Sequence, residues 1–333
     1  MKTENKKLSL SDLAEIIGIS KSTVSFVLNN KGDQYNISKA TQKIIFDKAK
    51  ELNFVPNFFA KSLREGKTKT IGLVVSDISN NFYGKLSKII QEELHHKGYK
   101  LFIVNTNEDK DIELQLIQDL INRSIDGLIV SPCNPVDNLK DLFNSTSIPI
   151  VFVDRFGDDK ADFVGVNNYS ESFNLIRKFT KKPKKIAVFF NDEDEISTTS
   201  LRIKGIKEVC LQEKIHLELI NLQNHKDSLL TSKIKYLKSE NMDACIALDN
   251  TATFKVLCTI NDLKLKIPQD LAFISFEDSE AFPYLNTSIS ALRQPIKEIG
   301  KETVNQLIRR LHEKQIPGKY VELSCEFIAR ESH

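Results

Sequence analysis

Lys21, Ser22, Ser25, Phe26 and Asn29 lie close enough along the chain to act together. On a helix, positions i, i+3, i+4 and i+7 share one side. Ser22, Ser25, Phe26 and Asn29 would then present one surface, and Val24, Val27 and Leu28 the other. Hydroxyls and an amide can donate to phosphates and base edges, Lys21 can reach acceptors on guanine, and Phe26 can pack on a thymine methyl. That is the chemistry of reading a DNA groove. Two plainer readings stand beside it: a helical hairpin with a solvated polar face, and Phe26 packed against the loop at 30–37.

The surrounding residues supply elements to position that surface. Ser9 or Ser11 can cap a first helix whose Leu13, Ile16 and Ile17 fall at apolar spacing. Gly18-Ile19-Ser20 breaks it, and a second helix runs from about Lys21 to Asn29. Two short helices joined by a tight Gly-containing turn are a helix-turn-helix pattern. Ser38 caps a third helix with Ile45, Ala49 and Leu52 on its inner face. After Pro56 comes a segment, Asn57 to Arg64, too short to be stable as an isolated helix.

Composition agrees with one basic end. The 333 residues carry a net charge of +2. Residues 1–70 hold 13 Lys/Arg against 7 Asp/Glu, which leaves 34 against 38 in the rest. A polyanion partner is therefore expected at the N-terminal end only. At 41% hydrophobic and 28% charged residues, the chain reads as globular protein of two or three domains. No apolar run follows the N-terminal lysines and none reaches membrane-spanning length, so neither a secretory signal nor a membrane partner is expected. The five cysteines have no C-x-x-C spacing and read as free thiols in a reducing cytoplasm, with no metal site. No Ser/His/Asp, metal or phosphate-loop signature appears, so neither an enzyme nor a cofactor is expected.

From residue 70 onward, short apolar runs alternate with helical stretches: 70–75, 100–106, 126–130, 149–153, 185–190, 244–248 and 271–276, with a more amphipathic run at 216–222. Runs that do not alternate suggest strands covered on both faces, hence an α/β fold with parallel sheets. Ligands of such sheets bind beyond the carboxyl ends of the strands. That rule nominates Asp77, Asn80, Asn81 and Phe82 after the first run, Asp154 and Arg155 after the fourth, Asp249 after 244–248, and Glu277 and Asp278 after 271–276. Carboxylates, an Arg and an aromatic platform suit a polyhydroxylated ligand.

Residues 12–29 (DLAEIIGISKSTVSFVLN) resemble the headpiece of the LacI/GalR family of bacterial transcription regulators, and 53–66 (NFVPNFFAKSLREG) resemble its hinge. The resemblance continues through IGLVVSDISNNFY (71–83), DGLIVSP (126–132), IPIVFVDR (148–155), LRQPIKEIG (292–300) and ARES (329–332). It implies that Lys21, Ser22 and Phe26 read bases and that Ser20, Thr23, Ser25 and Asn29 contact the DNA backbone. Within the hinge, Asn57 to Arg64, it implies that Leu63 wedges into the minor groove with Ala60 beside it. It makes Arg202, in R-x-x-G, an effector-binding arginine, and Asp154 and Glu277 acidic effector contacts. Glu277 departs from a usual Asp, Asn81 from a common Pro, and the loop Asn30–Asn36 is longer than in the best-known members.

The resemblance therefore implies a headpiece at 1–56, a hinge at 57–69 and a periplasmic-binding-protein-like sensor at 70–333. Subdomain one would span about 70–165 and 295–320, subdomain two about 166–292 and 321–333. The effector set is Asn80, Phe82, Asp154, Arg155, Arg202, Asp249 and Glu277. The expected function is a repressor that binds a palindromic double-stranded DNA operator as a homodimer, controlled by a small ligand, most often a sugar. The absence of C-terminal heptads after ARES implies dimers rather than tetramers. The competing readings are control by a protein co-repressor and a sugar-binding module without a DNA role.

Overall fold

The computed structural model describes residues 8–54, 66–133, 139–155, 162–191, 197–223, 227–313 and 317–333. It divides into two compact units, Met1–Thr68 and Lys69–His333.

The first unit holds three helices, α1 (Leu10–Ile17), α2 (Lys21–Leu28) and α3 (Lys39–Glu51). Ser9 and Asp12 form a reciprocal capping box at the start of α1. Gly18, at φ 70°, ends α1 in the left-handed conformation that glycine adopts freely. Ser20 and Ser38 cap α2 and α3 by accepting from Thr23 N and Thr41 N. Leu13, Val24, Val27 and Ile45, none more than 1% exposed, form the core. Ile16, expected on the inner face, is instead 50% exposed. At about 100° per residue, Leu10, Leu13, Ala14 and Ile17 span one arc and Ile16 falls outside it.

The second unit contains strands β1 (Thr70–Val75), β2 (Lys100–Asn105), β3 (Gly127–Val130), β4 (Ile150–Val153), β5 (Asp162–Val166), β6 (Lys185–Phe190), β7 (His216–Asn221), β8 (Ala244–Ala247), β9 (Ala272–Ser275), β10 (Ser290–Arg293), β11 (Tyr320–Leu323) and β12 (Glu326–Ile328). Its helices are α4 (Asn81–His96), α5 (Lys110–Asn122), α6 (Lys140–Asn144), α7 (Asn168–Leu175), α8 (Ser197–Glu213), α9 (Asp227–Ser239), α10 (Asn250–Asp262) and α11 (Ile296–His312). One sheet has the order β11-β5-β4-β3-β1-β2, all parallel; the other is β12-β10-β9-β8-β6-β7, parallel except for the antiparallel β10–β12 pair. The chain crosses between the sheets three times: after 166, after 293 and between 323 and 326. Residues 321–323, expected with the second subdomain, extend the first sheet instead, because Val321 to Leu323 pair with Val164 to Val166.

Most strands are buried on both faces, as continuous apolar runs require. The edge strands β2, β7, β11 and β12 are the exceptions, and in β2 Phe102 is 48% and Ile103 40% exposed. The C-terminal ARES completes the second sheet. Ser332 is fully buried, donates to Phe273 O at 2.6 Å and accepts from Ser290 N at 2.8 Å. Arg330 pairs with Asp278 at 2.8 Å. Among the described residues no helix is long and apolar enough to cross a membrane.

Candidate functional site

Helix α2 begins in a small cluster of hydroxyls. Ser20 Oγ lies 3.0 Å from Ser22 Oγ and 2.8 Å from Thr23 Oγ1. Lys21 and Ser22 are exposed, and the helix N-terminus adds positive potential beside them. Asn29 donates through Nδ2 to Ser25 O at 2.7 Å, so part of its side chain closes the helix. Ser25, expected on the outer face, is 6% exposed. It sits on the flank of α2 nearest Val24 and Leu28, where the helix turns toward the core.

Of the two readings of Phe26, the structure bears out its packing against the loop at 30–37. Its ring stacks on Tyr35 with centroids 3.6 Å apart and planes 11° from parallel. Tyr35 belongs to the long loop, which Gln42 ties down by donating to Asp33 Oδ1 at 2.8 Å and Ile37 O at 2.7 Å. Asn30 and Asn36, at φ 58° and 53°, supply the loop's left-handed bends. Phe26 and Tyr35 are both partly exposed, so the two rings form one aromatic surface beside Lys21 and Ser22. Asn57, Ala60 and Leu63 lie outside the described residues.

In the second unit all seven residues nominated for the effector line a single cavity of about 190 Å³. Asn80 and Asp249 cap the helices that border it. Asn80 Oδ1 accepts from Phe82 N at 2.9 Å, starting α4. Asp249 Oδ1 accepts from Ala252 N at 2.7 Å, starting α10, and its Oδ2 accepts from Asn191 N at 3.1 Å. Phe82 is 5% exposed and meets Tyr83 edge to face.

Arg202 is 4% exposed and held on three sides. Its Nε donates to Asn168 Oδ1 at 2.8 Å and its Nη1 to Leu248 O at 2.6 Å. Its guanidinium lies 3.9 Å from the centroid of Phe276. Gly205, the last residue of R-x-x-G, lets α8 lie directly against Tyr169 of α7, which also carries Asn168. The motif thus sets both the arginine and its partner.

Arg155 donates from both Nη atoms to Glu108, at 2.6 and 2.7 Å. Asp154 adopts φ 65° and accepts from Tyr83 Oη at 2.9 Å. Burial pushes the Asp154 carboxyl above its usual range, against the pull of Arg155 and Arg202. Burial likewise raises Asp249, opposed by its backbone hydrogen bonds. Glu277 is pushed up to about 8, chiefly by burial, with Arg202 opposing and Asp249 and Asp154 reinforcing. Its Oε2 is buried without a hydrogen-bond partner, as is Arg155 Nε. Asp278 instead turns to Arg293, at 2.8 Å, and Arg330.

The sequence missed Glu108, Tyr83, Thr198 and Thr199, which also line the cavity. Glu108 follows the carboxyl end of β2, so the strand-end rule applied to that run finds it. A wider groove of about 760 Å³, lined by Asn81, Lys85, Glu280 and Tyr284 among others, shares Phe82 and Glu277 with the cavity. Lys85, on α4, pairs at 2.7 Å with Glu280, in the loop after β9.

Three family models match the chain in order. "Bacterial regulatory proteins, lacI family" matches residues 9–57. "Periplasmic binding proteins and sugar binding domain of LacI family" matches 68–212, and "Periplasmic binding protein-like domain" matches 180–333. The chain is 26% identical over 318 residues to the catabolite repressor/activator of Escherichia coli K12, covering 93% of this chain and 94% of that protein. It is 27% identical over 332 residues to the transcriptional regulator KdgR of Bacillus subtilis, covering 97% of each. Among solved structures, the lac repressor dimer bound to operator and an anti-inducer superposes with a TM-score of 0.85 at 17% identity, covering 98% of this chain and 99% of that one.

Proposed function

The chain belongs to the LacI family of bacterial regulatory proteins and is a DNA-binding transcriptional regulator, and from this we propose that it is a homodimeric repressor whose operator binding is set by a small carbohydrate held in the cavity between its two sheets. The observation that carries the ligand half of this reading is the convergence of seven separately nominated residues on one cavity. Residues spread over more than 190 positions would not meet around one void if each were a solvated loop charge. The matched sugar-binding domain supports carbohydrate as the ligand class.

A dimer is supported by the head, which reads one half-site, and by the lac repressor dimer it resembles in fold. Exposed apolar residues offer surfaces for it: Tyr284 at 88%, Phe254 at 40% and Leu285 at 39% on the second sheet's half, with Phe102 and Ile103 on the first. Lys21, Ser22 and the Phe26–Tyr35 surface would meet base edges, and Ser20, Thr23 and Asn29 the phosphates. Ligand binding would bias closure of the two sheets and hence the pairing of the two 57–64 segments on DNA. A ligand can do this only by its differential affinity for the two states.

The test is to capture genomic fragments of the source organism with purified protein and sequence them. Recovery of a shared palindrome supports the reading, and the adjacent genes nominate the carbohydrate. No enrichment by the protein alone, followed by enrichment when cell extract is added, would replace the small ligand with a protein partner.

A further inference from the structure

The cavity's charges are unequal. Five carboxyl groups line it, from Asp77, Glu108, Asp154, Asp249 and Glu277, against the guanidinium groups of Arg155 and Arg202. Both arginines already have partners within the protein. Arg155 spends both Nη atoms on Glu108 at 2.6 and 2.7 Å. Arg202 spends Nε on Asn168 and Nη1 on Leu248 O, and its Nη1 lies 3.9 Å from Glu277 Oε1. The N-termini of α4 and α10, which could otherwise cradle an anion, are closed by Asn80 Oδ1 and Asp249 Oδ1. An arriving phosphate or carboxylate would meet carboxyl groups and already-paired cations in a place shielded from water, where an anion is left without a counter-charge.

Hydroxyl groups suit the same surroundings. Glu277 Oε2 and Ser76 Oγ are buried without partners, and Arg155 Nε is a buried donor with none. A hydroxyl both donates and accepts, so one kind of group satisfies all three.

We propose that this pocket selects an uncharged sugar and discriminates against the phosphorylated and carboxylated forms of the same sugar, its carboxyl groups enforcing the choice. The inference rests on the carbohydrate-sensing reading above and narrows it. Glu277 adds to the discrimination where it is ionised, above about pH 8; below that the choice rests on the other carboxyl groups and on the partners the arginines already have.

The test uses the full chain in thermal unfolding and calorimetry. Ribose, fructose, glucose, galactose and mannitol are compared at matched concentration with ribose 5-phosphate, fructose 1-phosphate, glucose 6-phosphate, gluconate and glucuronate. The expected result is stabilisation by at least one uncharged member, with its charged counterpart at least about tenfold weaker. At about pH 9, where Glu277 is ionised, Glu277→Gln should narrow that discrimination by about tenfold, because a neutral side chain of the same shape no longer repels an anion. Tighter binding of a phosphate or acid than of its parent sugar would overturn the proposal and leave carbohydrate sensing intact. An unmoved ratio in a folded Glu277→Gln would remove Glu277 from the role. Stabilisation by no sugar of either kind would overturn carbohydrate sensing itself, and this proposal with it. The unmutated panel decides the charge preference whether or not the variant folds.

Discussion

Gly205 of α8 lies against the backbone carbonyl of Tyr169 in α7, with no room between the two helices for a Cβ. The contact fixes more than packing. One turn before Gly205 stands Arg202, and beside Tyr169 stands Asn168, which accepts from Arg202 Nε. The arginine, its partner and the close approach of their helices form one arrangement.

Gly205→Ala should therefore act at a distance. The added methyl forces the helices apart, at a cost of about 1–3 kcal/mol in stability, as overpacking usually does. It should also weaken the ligand's effect on operator binding while the isolated head keeps its DNA affinity. Thermal unfolding of the body together with operator titrations, with and without ligand, measures both. An undisturbed response would separate the helix contact from the pocket.

Arg202→Ala should abolish the ligand response and leave operator binding in place. The variant also strips partners from buried Asn168 and from the Leu248 carbonyl, so the body should lose stability. Arg202→Lys tests the geometry: it keeps the charge and loses the planar fork, so the response should remain impaired. A fully responsive Arg202→Ala protein would place the effector elsewhere.

Glu277 should make the body's stability pH-dependent. Its carboxyl is raised from an ordinary 4.5 to about 8, chiefly by burial. Below about pH 4.5 the group is protonated in both folded and unfolded chains and costs nothing. As pH rises toward 8 the unfolded chain ionises first, so stability falls; above 8 the full penalty is present. Glu277→Gln should accordingly gain on the unmutated protein between pH 5 and 8, by a few kcal/mol at most. Parallel denaturant midpoints across that range would refute the buried, strained carboxyl.

The aromatic pair on the head gives a paired prediction. Phe26→Ala should relax preference at one or two half-site positions, and Tyr35→Ala should reproduce part of that effect by releasing the ring it stacks on. The double variant should then lose less than the sum of the two. Selection of binding sites from random duplexes reads this directly. Preferences that stay unchanged in all three would make the stack a device for holding the loop.

Operator affinity should fall steeply with salt, each phosphate contact adding about −0.9 to the log–log slope. Leu63→Gly should weaken operator binding strongly while the body unfolds at its usual temperature. A nearly flat salt dependence would move DNA binding off the basic head, and unchanged affinity in Leu63→Gly would end the minor-groove wedge.

Much of this was legible because the physics was local. Ser20, Ser38 and Gly18 mark helix ends, and the apolar runs between 70 and 276 mark parallel strands, though β5 (Asp162–Val166) is not among them. Strand ends located the pocket because strand direction alone decides where loops gather. What stayed hidden depends on partners distant in sequence. Strands β10, β11 and β12 are short and partly polar, and they are strands only because a neighbour's edge awaits them. Asn80 and Asp249 read as ligand contacts, yet each also starts a helix. Tyr35 could not be assigned to Phe26 without knowing how the loop of 30–37 folds back.

The three crossings between the sheets carry a mechanical consequence. A single connection would let the halves swivel in any direction. Three connections restrain one another as the leaves of a door hinge do, resisting twist and shear more than bending. In the proposed switch, closure of the two sheets would then come down to an angle, a single number set by how far the door has swung.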